Sequence, residues 1–140
     1  MARFLYVLLA IALFGVLIAI HEFGHFITAK LLGVKVNEFA IGMGPALWTK
    51  QRGETLYALR AFPVGGYCAM EGEDEDTGDP RAFARQAAWK KIIILCAGAF
   101  MNFVLGLAIT VALFLGVSQA RVPVITQFAG GFQHEGADGL

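Results

Sequence analysis

Charge is what this sequence has least of. Lysine, arginine, aspartate and glutamate make up 16% of the 140 residues, where soluble domains carry roughly 25%, and that scarcity excludes an ordinary water-facing surface over most of the chain. Eleven basic residues balance eleven acidic ones, so no basic excess points to nucleic acid, and none is expected as a partner. Cysteine is nearly absent as well. Cys68 and Cys96 sit in different segments without C-x-x-C spacing, which argues against a thiolate metal site or a disulfide framework. No small-residue cleavage site follows Met1-Ala2-Arg3 and the apolar stretch behind it, so the N-terminus is read as a retained span and not a removed signal peptide.

What is present is apolar. Hydrophobic residues reach 57% and the mean hydropathy is +0.63, values of a membrane protein. Residues 4–20 carry no charge, and residues 92–120 have Asn102 and Gln119 as their only strongly polar members. Each run can cross a hydrocarbon core of roughly 30 Å at about 1.5 Å per residue, provided the first helix continues to Leu32. Nine of the eleven basic residues fall between the two runs, which places the connecting segment in the cytoplasm.

Strands are expected in that connection. Residues 35–70 are rich in β-branched and aromatic side chains broken by glycines, and "WTKQRGETLYAL" reads as two short strands around Gly53. The acidic stretch "EGEDEDTGD", residues 71–79, imitates a calcium loop. However, its Gly78 comes one place early and Thr77 holds a chelating position, so it reads as a solvated turn. Asp79 before Pro80 is a helix-start signal, and "RAFARQAAWKK" is expected to form a short helix into the second span, with Trp89, Lys90 and Lys91 at the interface. The divisions are 1–32, first span; 33–79, cytoplasmic β-rich loop and acidic turn; 80–120, interfacial helix and second span; and 121–140.

Within the first span stands His21-Glu22-Phe23-Gly24-His25. Residues four apart on a helix share a face, so His21 and His25 can hold one metal ion with Glu22 beside them, the H-E-x-x-H arrangement of zinc proteases. Two neutral imidazoles would ligate Zn²⁺, which lowers the pKa of its bound water toward about 7, and the carboxylate would take the proton as water attacks a peptide carbonyl. An ionised carboxylate at the bilayer centre costs on the order of 3 kcal/mol, which makes intramembrane ionisable groups functional candidates. At the helical rise, His25 lies about 7 Å and His21 about 14 Å in from Lys30, and Asn102 about 16 Å in from Lys91. Three polar side chains thus fall at similar depth.

These features together resemble a family. The H-E-F-G-H motif, "EFAIGMGP", "PVGGYCAMEGE", "RAF" and "AGAFMNF" occur in the order seen in the N-terminal half of site-2 proteases of the bacterial regulator-of-sigma-E-protease type. The resemblance implies an α-helical, multi-pass protein of the bacterial inner membrane, with a membrane-re-entrant β-hairpin between its first two spans. It further implies a zinc endopeptidase that cuts single-span membrane proteins, such as an anti-sigma factor or a signal-peptide remnant, within the lipid bilayer. His21 and His25 match the family's zinc ligands, Glu22 its catalytic base, and Asn102 the asparagine that holds substrate backbone. Gly42, Met43, Gly44 and Pro45, with Gly65, Gly66 and Tyr67, fall where an edge pairs with unwound substrate. That pairing makes physical sense, because a helix cannot offer its carbonyls until extended, and a strand edge replaces the lost bonds.

Two departures accompany the resemblance. Ala99 stands where the family has proline, which affects a kink. The family's third ligand, an aspartate in a Leu-Asp-Gly motif on a later span, has no counterpart in these 140 residues. The sequence therefore reads as an N-terminal part, expected by itself to bind zinc weakly and cleave nothing. Residues 121–140 resemble the start of a PDZ module; His134, Glu135 and Asp138 would lie across the membrane from the zinc and are not recruited. The rival readings are a non-catalytic membrane protein that binds partners through its β edge, and a metal-handling membrane protein.

Overall fold

The structure, a computed structural model, describes residues 1–116; the PDZ-like segment and the end expected for the second span lie outside them. Among the described residues four elements follow one another: helix α1 (Ala2–Leu31), strand β1 (Val36–Arg52), strand β2 (Thr55–Met70) and helix α2 (Ala88–Gly116), with one 3-10 turn at Phe83–Arg85. Both helices are long and apolar enough to cross a membrane, at 30 and 29 residues. Their outer lengths carry exposed large side chains, among them Phe4, Leu9 and Phe14 on α1 and Phe103, Leu107 and Phe114 on α2.

α1 stops one residue short of the expected Leu32, for a local reason. Gly33 takes a left-handed φ of 79°, its N–H bonds the Lys30 carbonyl and the Val34 N–H reaches back to the Ala29 carbonyl at 2.9 Å. This is a Schellman ending, and Val34 and Ala29 supply the apolar contact that accompanies it. Both side chains are buried in the core. That core joins Ala29, Val34, Val36, Phe39, Cys68, Met70 and Ile94, tying the ends of both helices to the base of the sheet.

The hairpin expected around Gly53 is there, with Arg52 opposite Thr55 and Trp48 opposite Leu59. The two strands are longer than a simple hairpin and fold back on themselves. Residues 38–41 of β1 are partnered twice: Phe39 faces Tyr57 and Cys68, and Ile41 faces Leu59 and Gly66. The break lies at 42–45, where Gly42 and Gly44 hold φ near 86° and 85°, conformations an L side chain rarely adopts. The far end of the sheet runs along α1 toward its N-terminus, and Pro63 lies hard against Gly15. Gly15 is ten residues before His25, about 15 Å at the helical rise.

The interfacial helix expected from residue 80 does not form. Asp79 uses its side chain to accept the Arg81 N–H at 2.8 Å, which closes a turn two residues on instead of capping an α-helix. Chain pairing takes the backbone next: Phe83 N–H bonds the Glu71 carbonyl and Ala84 N–H the Gly72 carbonyl. After the 3-10 turn at Phe83–Arg85, α-helix begins only at Ala88. Lys90 then donates to the Leu32 carbonyl at 3.0 Å, so the start of α2 satisfies the end of α1. The acidic turn is mostly exposed, as expected, but Glu71 within it pairs with Lys35 at 2.8 Å.

Candidate metal centre

α1 and α2 meet in antiparallel fashion, and glycines set how closely. A Cβ on Gly24 would stand 2.5 Å from the Ala97 carbonyl oxygen, and one on Gly98 would stand 2.6 Å from Nε2 of both His21 and His25. Small residues let the backbones approach. The two imidazoles consequently lie in the seam. Nε2 of His21 is 3.1 Å from Nε2 of His25, and the rings meet edge to face at 80° with centroids 4.8 Å apart.

His25 is fixed by the backbone of α2. Its Nδ1 lies 2.7 Å from the Ile94 carbonyl oxygen, which can only accept, so Nδ1 carries the proton and Nε2 presents its lone pair toward His21. The donor set fits zinc. Two nitrogens each about 2.05 Å from one ion at a tetrahedral angle are separated by roughly 3.3 Å, close to the separation present. A methyl group on Gly98 would crowd both Nε2 atoms, so the glycine keeps the space beside them open. Among the described residues no group of three His, Cys, Asp or Glu side chains converges on a metal position, so a third ligand is not found here.

Aromatic packing aims this turn of α1. Phe26 lies 4.9 Å from Phe39 and 5.8 Å from Tyr57, centroid to centroid, and Phe23 lies 6.5 Å from Phe39. These contacts press one face of the motif onto the sheet while His21 and His25 turn toward α2. Glu22 opens into a cleft of about 450 Å³ with His25, Leu95, Tyr67, Cys68, Ala69 and Met70, and Glu73 and Asp74 at its rim. The strand 66–70 is partnered on one side by 36–41; among the described residues its other side has no strand. Burial, with Glu22 adding to it, pushes the Cys68 thiol up to about 12, so this cleft residue offers no thiolate near neutral pH.

The expected site residues are therefore divided. His21, Glu22, His25 and Asn102 gather in one place, Asn102 with its amide Nδ2 3.5 Å from His21 Nδ1. Gly66 and Tyr67 adjoin them: the Gly66 backbone passes beside Glu22. Gly42, Met43, Gly44 and Pro45 do not line the cleft. They form the bend of β1 opposite Phe62 and Arg60, Gly65 packs against Met43, and Arg60 holds the bend by donating to the Gly44 carbonyl at 2.8 Å and pairing with Glu38 at 2.7 Å. Three participants escape a reading of the sequence: the Ile94 carbonyl, Gly98, and the Cys68–Met70 wall. Gly98 and Cys68–Met70 fall inside the quoted "AGAFMNF" and "PVGGYCAMEGE" without being given a role there, and the Ile94 carbonyl leaves no trace at all. Ala99, at the proline position, is exposed on a helix that continues unbroken.

A profile of peptidase family M50 matches residues 9–137. A candidate zinc metalloprotease of Clostridium perfringens is 47% identical over 109 residues, covering 78% of this chain and 32% of the relative. A second, from Clostridium acetobutylicum, is 50% identical over 102 residues, covering 73% and 30%. The zinc metalloprotease Rip1 of Mycobacterium tuberculosis is 40% identical over 115 residues, covering 78% and 28%. The chain thus spans about a third of the length of the curated relatives it matches.

Proposed function

Because the chain belongs to peptidase family M50, the site-2 proteases, we propose that it carries the zinc-binding and proton-transfer half of an intramembrane endopeptidase site. The observation that supports this most is the pair of Nε2 atoms held 3.1 Å apart in the helix seam, with the His25 ring locked by the Ile94 carbonyl. His21 and His25 hold the ion; the third ligand, an aspartate by family resemblance, comes from outside the described residues. Zinc bound there would supply a Lewis acid for the peptide carbonyl and would lower the pKa of a bound water, so that the water yields a nucleophile near neutral pH.

This chain's own groups do the rest. Glu22 accepts the proton of the attacking water on its carboxylate and returns it to the leaving amine, and its place in the cleft beside His25 suits both transfers. The side of strand 66–70 turned away from 36–41 receives an unwound substrate segment as an added strand, which keeps its backbone bonded while it passes Glu22. The substrate is a single-span protein, met within the inner membrane. The β element enters the bilayer from the cytoplasmic side, in keeping with its run along α1 to Gly15. In the full-length protein, Glu22→Gln should retain zinc and lose cleavage of a model transmembrane substrate by orders of magnitude. Undiminished cleavage by that variant would remove the base from Glu22; binding without cleavage by the unaltered enzyme would favour a non-catalytic partner-binding protein.

A further inference from the structure

Asn102 bonds badly as it stands. Its Nδ2 is 3.5 Å from His21 Nδ1, beyond the usual 2.7–3.2 Å of an N–H donor, and its Oδ1 is buried without any partner among the described residues. With the nitrogen facing His21, Nδ1 must accept, which puts the His21 proton on Nε2, directed at the His25 lone pair 3.1 Å away. That arrangement suits two imidazoles bonded to each other. It cannot hold a metal, because a metal on His21 Nε2 needs the lone pair there and moves the proton to Nδ1. Nδ1–H then needs an acceptor, and the α2 group within reach is the Asn102 amide. Turning that amide over brings the orphaned oxygen to it, and the two orientations of an amide differ only in which end carries oxygen.

Resting on the zinc-site reading above, the geometry points to Asn102 as the positioning residue of His21: its amide oxygen accepts His21 Nδ1–H and holds the ring in the form that ligates metal through Nε2. His25 has the same support from a backbone carbonyl, at 2.7 Å from Ile94, so α2 orients both ligands, one through its main chain and one through a side chain. Acceptors of this kind fix the tautomer and orientation of ligating histidines. Asn102 differs from the Ile94 carbonyl in being able to turn, so it serves the metal-free pair as a donor and the metal-bound pair as an acceptor.

The test compares Asn102→Asp, which accepts but cannot donate when ionised, with Asn102→Leu, which does neither. Zinc affinity is measured by chelator competition on the full-length protein in detergent, and His21 Nδ1 is followed by ¹⁵N resonance with and without zinc. Asn102→Leu should weaken zinc by about 10- to 100-fold, whereas Asn102→Asp should bind within a few-fold of the unaltered protein or tighter. In the unaltered protein, zinc should shift the His21 proton to Nδ1. Equal losses in the two variants, or unchanged affinity in Asn102→Leu, would overturn the assignment. His21→Ala separates this from the underlying reading: if it leaves zinc affinity unchanged, the metal-site proposal itself fails, and if it alone abolishes binding, only the role of Asn102 does.

Discussion

Gly98→Ala tests the seam at its tightest point. The added Cβ would stand 2.6 Å from both Nε2 atoms and 2.7 Å from His21 Cε1, where ordinary contacts begin at 3.4 Å. Something must therefore yield by about 0.8 Å, several times the tolerance of about 0.2 Å for metal–ligand distances. If the rings yield, the two lone pairs no longer meet, and zinc affinity should fall at least tenfold, with cleavage down about 100-fold as for other displacements of this size. If the helices part instead, overpacking costs about 1–3 kcal/mol of stability, and the His25 bond to Ile94 is stretched as well. Gly106→Ala on the same helix is the control: its Cβ meets nothing within 4 Å among the described residues, so it should gain up to about 1 kcal/mol with zinc unchanged. Chelator competition and thermal unfolding in detergent read both quantities. A Gly98→Ala protein that binds zinc as tightly as the unaltered one would refute the reasoning, because the histidines could not then converge beside Gly98.

Topology can be read with thiols. In a background lacking Cys68 and Cys96, cysteines at Lys50 or Thr77 should be shielded from impermeant reagents in intact cells while one at Gln133 is labelled; the reverse would put the sheet outside. Acid should loosen the join between α1 and the segment before α2. Glu54 accepts from Arg81 at 2.7 Å and from Lys30 at 2.9 Å, and these bonds hold its carboxyl down to about 2 from an ordinary 4.5. A carboxyl lowered on folding contributes stability above pH 4.5 that is lost as pH falls toward 2. Hydrogen exchange around Lys30 and Arg81 should accelerate across that window, and Glu54→Gln should remove the dependence; identical profiles would dismiss the bridge.

Much of this was legible in the sequence, and the limits have physical causes. Spans depend on uncharged length and the H-E-x-x-H turn on helical periodicity, both local properties. The Gly53 hairpin is equally local. Double pairing of residues 38–41 could not be read, because it joins segments some 20 and 30 residues away through bends that glycines merely permit. The helix expected over 81–91 forms only from Ala88 onward, because the Phe83 and Ala84 N–H groups found acceptors on Glu71 and Gly72, a tertiary competition invisible to capping rules. In the candidate site, side chains of distinctive chemistry can be picked out of a sequence by type. The Ile94 carbonyl cannot, since every residue has one.

The central claim is that His21 and His25 hold one zinc ion through Nε2. X-ray absorption at the zinc edge of the purified full-length protein tests it most directly. The account predicts two imidazole nitrogens at about 2.0–2.1 Å in the unaltered protein and in Glu22→Gln, and loss of both zinc and the imidazole signature in the His21→Ala, His25→Ala double variant. Zinc retained by that double variant with imidazole ligation unchanged would contradict it.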